Sequence, residues 1–378
     1  MKIESPPLVC YGPPKSSTGA LLSALARLEI LEPQQKVLSF DVSLVGEVSH
    51  KHSIVSSCPD CKTQTSVVHK WEIIKEKKTL DKGMHSYPIS FLVPGSLPAS
   101  NSNPLSSISY FLQGKAVLAN GEVSTFKEPI KIARSILPPD HPRNSVRVFP
   151  PTNLSANIHL PSVVYPGGSF PVEVRLDGVV AANKKTRWRL RRVIWKIEEH
   201  TKAIATTCPK HKAKLGNGKG VLHEDARLVG SAELKSGWKS DFSTSDGRIE
   251  MELDCHIPVV HHAACDVETP SGVEVTHALI LELIVAEESL PTAPVKYVTP
   301  TGAARVLRMQ FRLCVTDRPG MGISWDEEQP PMYENIPESP PTYPDLEHHT
   351  QKIIRMLLAR LELATFGLPS LSEDHIII

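Results

Sequence analysis

Short alternating runs of apolar and polar residues dominate the chain up to about residue 318. Residues 37–45 read as an extended strand with Leu38, Phe40, Val42 and Leu44 on one side. Residues 87–93 follow the same pattern, as do 107–112 and 115–118. Gly, Pro, Asn and Ser separate the runs, which is the punctuation of an antiparallel β-sandwich. Helical signals are sparse. The best is 18–28, where Ala and Leu cluster, with Pro13, Pro14 and Pro33 keeping it short.

A proline-rich joint at 137–142 precedes a second series. Residues 163–170 turn into a strand at 171–176, and 188–198 follow, where Leu190, Val193 and Trp195 alternate imperfectly with charge. Further strands are expected at 249–253, 279–285 and 307–315. The pattern predicts two sandwich-sized β domains, 1–135 and 136–318, each within the ordinary size range.

The pattern then changes. Between residues 319 and 350 there is no Lys or Arg, while seven prolines and seven acidic residues are interspersed. Such a segment has too little apolar surface to offset the entropy of ordering, so 319–378 reads as a disordered tail. Within it, 351–366 has Ile353, Ile354, Leu357, Leu358 and Leu361 at helical spacing, a short amphipathic helix without an assigned role. The tail also carries Pro330-Pro331-Met332-Tyr333 and Pro340-Pro341-Thr342-Tyr343. Each Pro-Pro pair holds two φ angles near those of polyproline II, the shape that WW-type domains read in aromatic grooves. Pro330, Pro331, Tyr333, Pro340, Pro341 and Tyr343 are therefore the expected WW contacts.

Residues 80–100 contain a glycine (Gly83), a Pro-aromatic strand and the turn Pro94-Gly95-Ser96-Leu97-Pro98-Ala99-Ser100. This arrangement resembles the arrestin N-domain, and 108–112 resemble that family's next strand. Residues 234–241 and 247–253 resemble the C-domain of fungal arrestin-related trafficking adaptors, and the Pro-Pro-x-Tyr tail matches the same family. The resemblance implies an all-β fold: two arrestin-like, immunoglobulin-type sandwiches and a disordered acidic tail. It also implies a non-enzymatic adaptor whose body meets cytosolic tails of plasma-membrane transporters or receptors. The tail would recruit a WW-domain HECT-type ubiquitin ligase, and ubiquitination and endocytosis of the cargo would follow. The alternative is an arrestin-fold sorting, coat or signalling scaffold subunit that works without a ligase; the paired motifs argue against it.

The cysteines add candidate chemistry. Cys58-Pro59-Asp60-Cys61 follows the first long strand of the first half, and Cys208-Pro209-Lys210-His211 holds the corresponding place in the second. Two short pairs, each with two intervening residues, supply the four ligands that tetrahedral zinc prefers. The competing reading is loop cysteines without metal. The arrestin resemblance brings such loops together at the central crest, which implies a structural zinc stapling the two halves. Cys10, Cys255, Cys265 and Cys314 lie in or near apolar strands and read as small core residues.

The densest basic run is 184–192. Lys184, Lys185, Arg187, Arg189 and Arg191 could meet acidic headgroups or acidic cargo, or form a solvated strand face. Net charge of +1 and the lack of aromatic-interleaved basic motifs point away from nucleic acid. Gly216-Asn217-Gly218-Lys219-Gly220 lacks the spacing of a phosphate loop, and no nucleophile elbow or metalloprotease motif is present. Seven cysteines without a dense even framework, and no signal-peptide pattern at Met1-Lys2-Ile3, suggest a reducing cytoplasmic location. Recruitment to the plasma membrane, endosomes or Golgi would follow from the adaptor role.

Overall fold

Side chains alternate between core and solvent along most strands, as extended backbone requires. The structure is a computed structural model that describes residues 1–183, 185–215, 220–291 and 297–319. Both Pro-Pro-x-Tyr motifs, the tail from residue 320, the amphipathic stretch 351–366, Lys184 and loop residues 216–219 lie outside the described residues.

In the first half, Gln35–His50 is flanked by Thr63–Ile74 and Ser106–Leu118, and Val123–Ile130 extends the sheet beyond Ser106–Leu118, all antiparallel. Ala20–Ile30 lies between Lys2–Ile3 and Gly83–Val93 in a second sheet, and Leu8–Tyr11 pairs in parallel with Ile132–Ser135. Leu22, Phe40, Val42, Leu44, Leu112 and Ile132 fill the core between them. Gly83 opens its strand at φ +140°, a conformation that favours glycine. The turn after this strand is held by Arg134, whose guanidinium donates to the carbonyls of Gly12, Gly95 and Leu97 at 2.5–2.8 Å.

The second half repeats the plan. One sheet runs Arg143–Val148, Ser155–Leu160, Ser169–Asp177, Arg248–His256 and Lys239–Asp241. The other contains Val163–Val164, Thr299–Val315, Val273–Ser289, Thr186–Ala205 and Val221–Leu234, with Val267–Glu268 paired to Val273–Ser289. Trp195, Phe311, Leu160, Leu176 and Leu190 are fully buried between them. Thr186–Ala205 has 20 residues and Val273–Ser289 has 17, far more than the usual five or six. Their central residues, such as Trp195 and Leu281, belong to the second-half core, whereas Ala203, Val273 and Val275 pack into the first-half core. The same two strands thus serve both hydrophobic cores.

The all-β sandwich architecture is as expected, with several local corrections. Residues 18–28 do not form a helix: Ala20–Ile30 is a strand that pairs antiparallel along its length with Gly83–Val93. Leu22, Ala24 and Ala26 are buried with period two, so tertiary packing overrides the helix preference of Ala and Leu. Leu38 is exposed, because a register irregularity between Val37 and Ser39 turns Val37 inward instead. A similar shift between Leu190 and Arg192 explains why Leu190 and Val193 are both buried. The runs at 107–112 and 115–118 are one strand, Ser106–Leu118. Gly114 at their junction gives the Phe126 ring room to lie on the sheet, since a Cβ there would fall inside that ring.

Candidate metal centre

Cys58-Pro59-Asp60-Cys61 and Cys208-Pro209-Lys210-His211 are built alike. In both, a proline follows the first candidate ligand and fixes φ for a tight helical turn. The first turn is the single-turn helix Pro59–Lys62, where the Cys61 and Lys62 amides donate to the Cys58 carbonyl at 3.2 and 3.1 Å. The second opens the 3₁₀ helix Pro209–Leu215, where the His211 amide donates to the Cys208 carbonyl at 3.0 Å. Side chains three positions apart in such a turn project to one side.

The first turn belongs to the connection between Gln35–His50 and Thr63–Ile74, and the second to that between Thr186–Ala205 and Val221–Leu234. They meet across the seam of the two halves. The three sulfurs and one imidazole nitrogen all lie within 4.8 Å of one another. Cys58 Sγ is 3.9 Å from Cys208 Sγ, Cys61 Sγ is 3.6 Å from His211 Nδ1, and Cys208 Sγ is 3.2 Å from His211 Nδ1. The Cys208 amide donates to Cys61 Sγ at 3.4 Å. Cys61 and Cys208 are buried, Cys58 and His211 half-buried, and Ile54 and Val55 pack beside the sulfurs. Around this centre, Lys210 pairs with Asp60 at 3.4 Å and Gln64 Nε2 donates to Thr206 Oγ1 at 2.5 Å.

The cluster thiols differ among themselves: the Cys208 amide favours the Cys61 thiolate, but burial and the neighbouring Cys208 and Cys58 thiols outweigh it and raise Cys61. Burial opposes ionisation of Cys208, but hydrogen bonds from His211 and the neighbouring thiols bring it down to about 7. Burial pushes Cys255 up to about 12 and Cys314 to about 11, and also raises Cys10 and Cys265. Those four are inert thiols of the fold.

The basic run is less open than its sequence suggests. Arg187, Arg189 and Arg191 converge on one carboxylate, Glu288, at 3.1, 3.5 and 2.9 Å. Glu288 is only 3 % exposed, and Arg187 also lies over the Phe242 ring at 4.4 Å. Lys185 takes no part in that cluster; its amide donates to Asn183.

One constellation escapes sequence reading. Glu199 is buried and accepts from Arg227 Nε and the Ala264 amide, both at 2.8 Å. The buried His277 lies between Glu199, at 3.4 Å, and Asp266, at 2.6 Å. The parity of Trp195, Ile197, Glu199 and Thr201, all buried, was the available signal that Glu199 points inward. Its partners, distant in sequence, left no trace there.

A family model described as LDB19, arrestin N-terminal-like, matches residues 40–215, a segment that includes all four clustered ligands. The chain is 37% identical to protein C1F12.05 of Schizosaccharomyces pombe, over 91% of this chain and 88% of that one. It is 33% identical to C18H10.20c of the same yeast, covering 91% and 94%. Protein LDB19 of Eremothecium gossypii is 28% identical, covering 91% and 81%. With two β-sandwiches sharing a seam and relatives matched along nearly their whole length, this chain belongs to the LDB19 family of fungal arrestin-related proteins.

Proposed function

We propose that this arrestin-fold trafficking adaptor, itself non-enzymatic, couples membrane cargo to a WW-domain HECT-type ubiquitin ligase. The observation that carries the reading is the pair of Pro-Pro-x-Tyr motifs, Pro330–Tyr333 and Pro340–Tyr343, following an arrestin-like body in one chain. Two prolines keep each motif near polyproline II, so less order has to be gained on binding. The two tyrosines are ten residues apart, which spans about 30 Å in polyproline II. Once one motif is held, the second meets its WW domain as an intramolecular partner, which raises avidity on the order of a hundredfold.

The body supplies the cargo end. Three guanidiniums on the single Glu288 carboxylate leave excess positive charge at Arg189 and Arg191, both exposed, suited to acidic cargo tails or headgroups. The cytoplasm, with recruitment to the plasma membrane, endosomes or Golgi, is the matching location.

The test is capture of the ligase's WW domains by the full chain. Tyr333→Ala or Tyr343→Ala alone should weaken capture roughly tenfold or more, and the double change should abolish it with the body still folded. Undiminished capture by the double variant would refute the ligase link. Reversing the patch with Arg189→Glu and Arg191→Glu should weaken cargo-tail binding without touching ligase capture.

A further inference from the structure

We propose that Cys58, Cys61, Cys208 and His211 hold one structural zinc ion that staples the two halves together. The reading is independent of the ligase link. Tetrahedral zinc with Zn–S near 2.3 Å and Zn–N near 2.0–2.1 Å requires S···S edges of about 3.8 Å and S···N edges of about 3.6 Å. The Cys58–Cys208 separation of 3.9 Å and the Cys61–His211 separation of 3.6 Å meet those edges, and Cys208–His211 at 3.2 Å is a few tenths short.

The donor set selects the metal. Three thiolates and an imidazole exclude calcium and magnesium, which take oxygen ligands. Iron–sulfur centres of the common kinds need four cysteines. Four protein ligands around one point leave no open coordination position, which makes the site structural and not catalytic. A disulfide is a poorer account: it needs sulfurs about 2.0 Å apart, and three thiols converging with an imidazole cannot all pair.

The surroundings suit bound metal. The Cys208 amide points at Cys61 Sγ, the kind of outer-shell donor that steadies a coordinated thiolate. Three thiolates on a divalent ion carry one net negative charge, and Lys62, Lys210 and Lys212 stand on the two turns that hold it. Cys58 and Cys208 are 150 positions apart, so the ion closes a very long loop of chain. What it joins is the Gln35–His50 to Thr63–Ile74 connection and the end of Thr186–Ala205.

Elemental analysis of the full-length chain, purified under reducing conditions from zinc-supplemented cells, is the direct test. About one zinc per chain should survive dialysis, and Cys61→Ser should leave less than about a tenth of it. His211→Cys, which makes a four-cysteine set, should keep the metal, whereas His211→Ala should lose most of it. Cys314→Ser, outside the cluster, should be indistinguishable from wild type. Because Cys61→Ser can fail by misfolding, the wild-type chain stripped of metal should also be titrated with cobalt(II). Tetrahedral d–d bands with thiolate charge transfer are expected. Wild type without zinc and without those cobalt bands would overturn the proposal, as would full zinc retention by both Cys61→Ser and His211→Ala.

Discussion

Glu199 shows how a single residue can hold charge in the interior. Burial disfavours its ionised form, yet His277, Arg227 and the Ala264 amide outweigh that and hold its carboxyl at about 2. Burial likewise opposes the charged form of His277, but Asp266 and Glu199 win and raise it above its ordinary value. The signs give a window. Glu199 contributes stability above the unfolded carboxylate value of about 4.5 and loses it as pH falls towards 2. His277 contributes fully below about 6.5 and loses its share as pH rises through its raised folded value. Stabilisation by the cluster is therefore greatest in mildly acidic buffer. Urea midpoints of wild type and His277→Gln, measured from pH 5 to pH 9, should converge as pH rises; parallel curves would contradict the charged histidine. Glu199→Ala should cost about 3–5 kcal/mol, because Arg227 loses its anion and His277 keeps only Asp266. A loss below about 1 kcal/mol would place the cluster with ordinary surface ion pairs. The same scale explains what sequence reading could reach. Cys58, Cys61, Cys208 and His211 were legible because each pair is local and chemically distinctive, whereas Glu199, Asp266 and His277 are ordinary residues until folding brings them together.

At the level of elements, alternation located the strands, and its failures trace to backbone irregularities. One extra residue in a strand inverts the parity of everything beyond it, so a periodicity argument places Leu38 inside although Val37 occupies the core. Ala20–Ile30 misleads for another reason: Ala24 and Ala26 favour helix in isolation, but their small size suits close packing beneath the facing sheet. Gly114 offers a direct check on such close packing. Gly114→Val must displace the Phe126 ring from the face of its sheet, and about 1–3 kcal/mol of stability should be lost. Pairing the change with Phe126→Ala should recover part of the loss, since the clash is then removed. Additive losses in chemical denaturation would mean the glycine serves another purpose.

For the whole molecule, the seam is the feature to perturb. Asn101 donates to the Cys265 carbonyl at 2.9 Å, Thr316 donates to the Arg134 carbonyl at 2.7 Å, and Lys131 pairs with Asp317 at 3.0 Å. Together with the four-ligand cluster, these contacts tie the halves at separate points. Stripping the proposed zinc with a chelator under reducing conditions should lower the melting temperature and speed amide exchange first in residues 50–64 and 203–215. Uniform exchange changes over the chain would argue against a local staple.

Thr186–Ala205 and Val273–Ser289 extend beyond their own core, and this has a consequence for how the chain can be divided. Ala203, Ala264, Val267, Val273 and Val275 belong to the same hydrophobic cluster as Leu22, Phe40 and Leu112. A fragment ending at Ser135 would lack those five side chains and bare the first-half apolar residues packed with them to water, so it should be sticky and poorly soluble even though its own strands are all present. In calorimetry the intact body should melt in one peak. The joint at 137–142 thus divides the covalent chain but not the cooperative unit, and swapping one half between relatives would require the matching strand ends to travel with it.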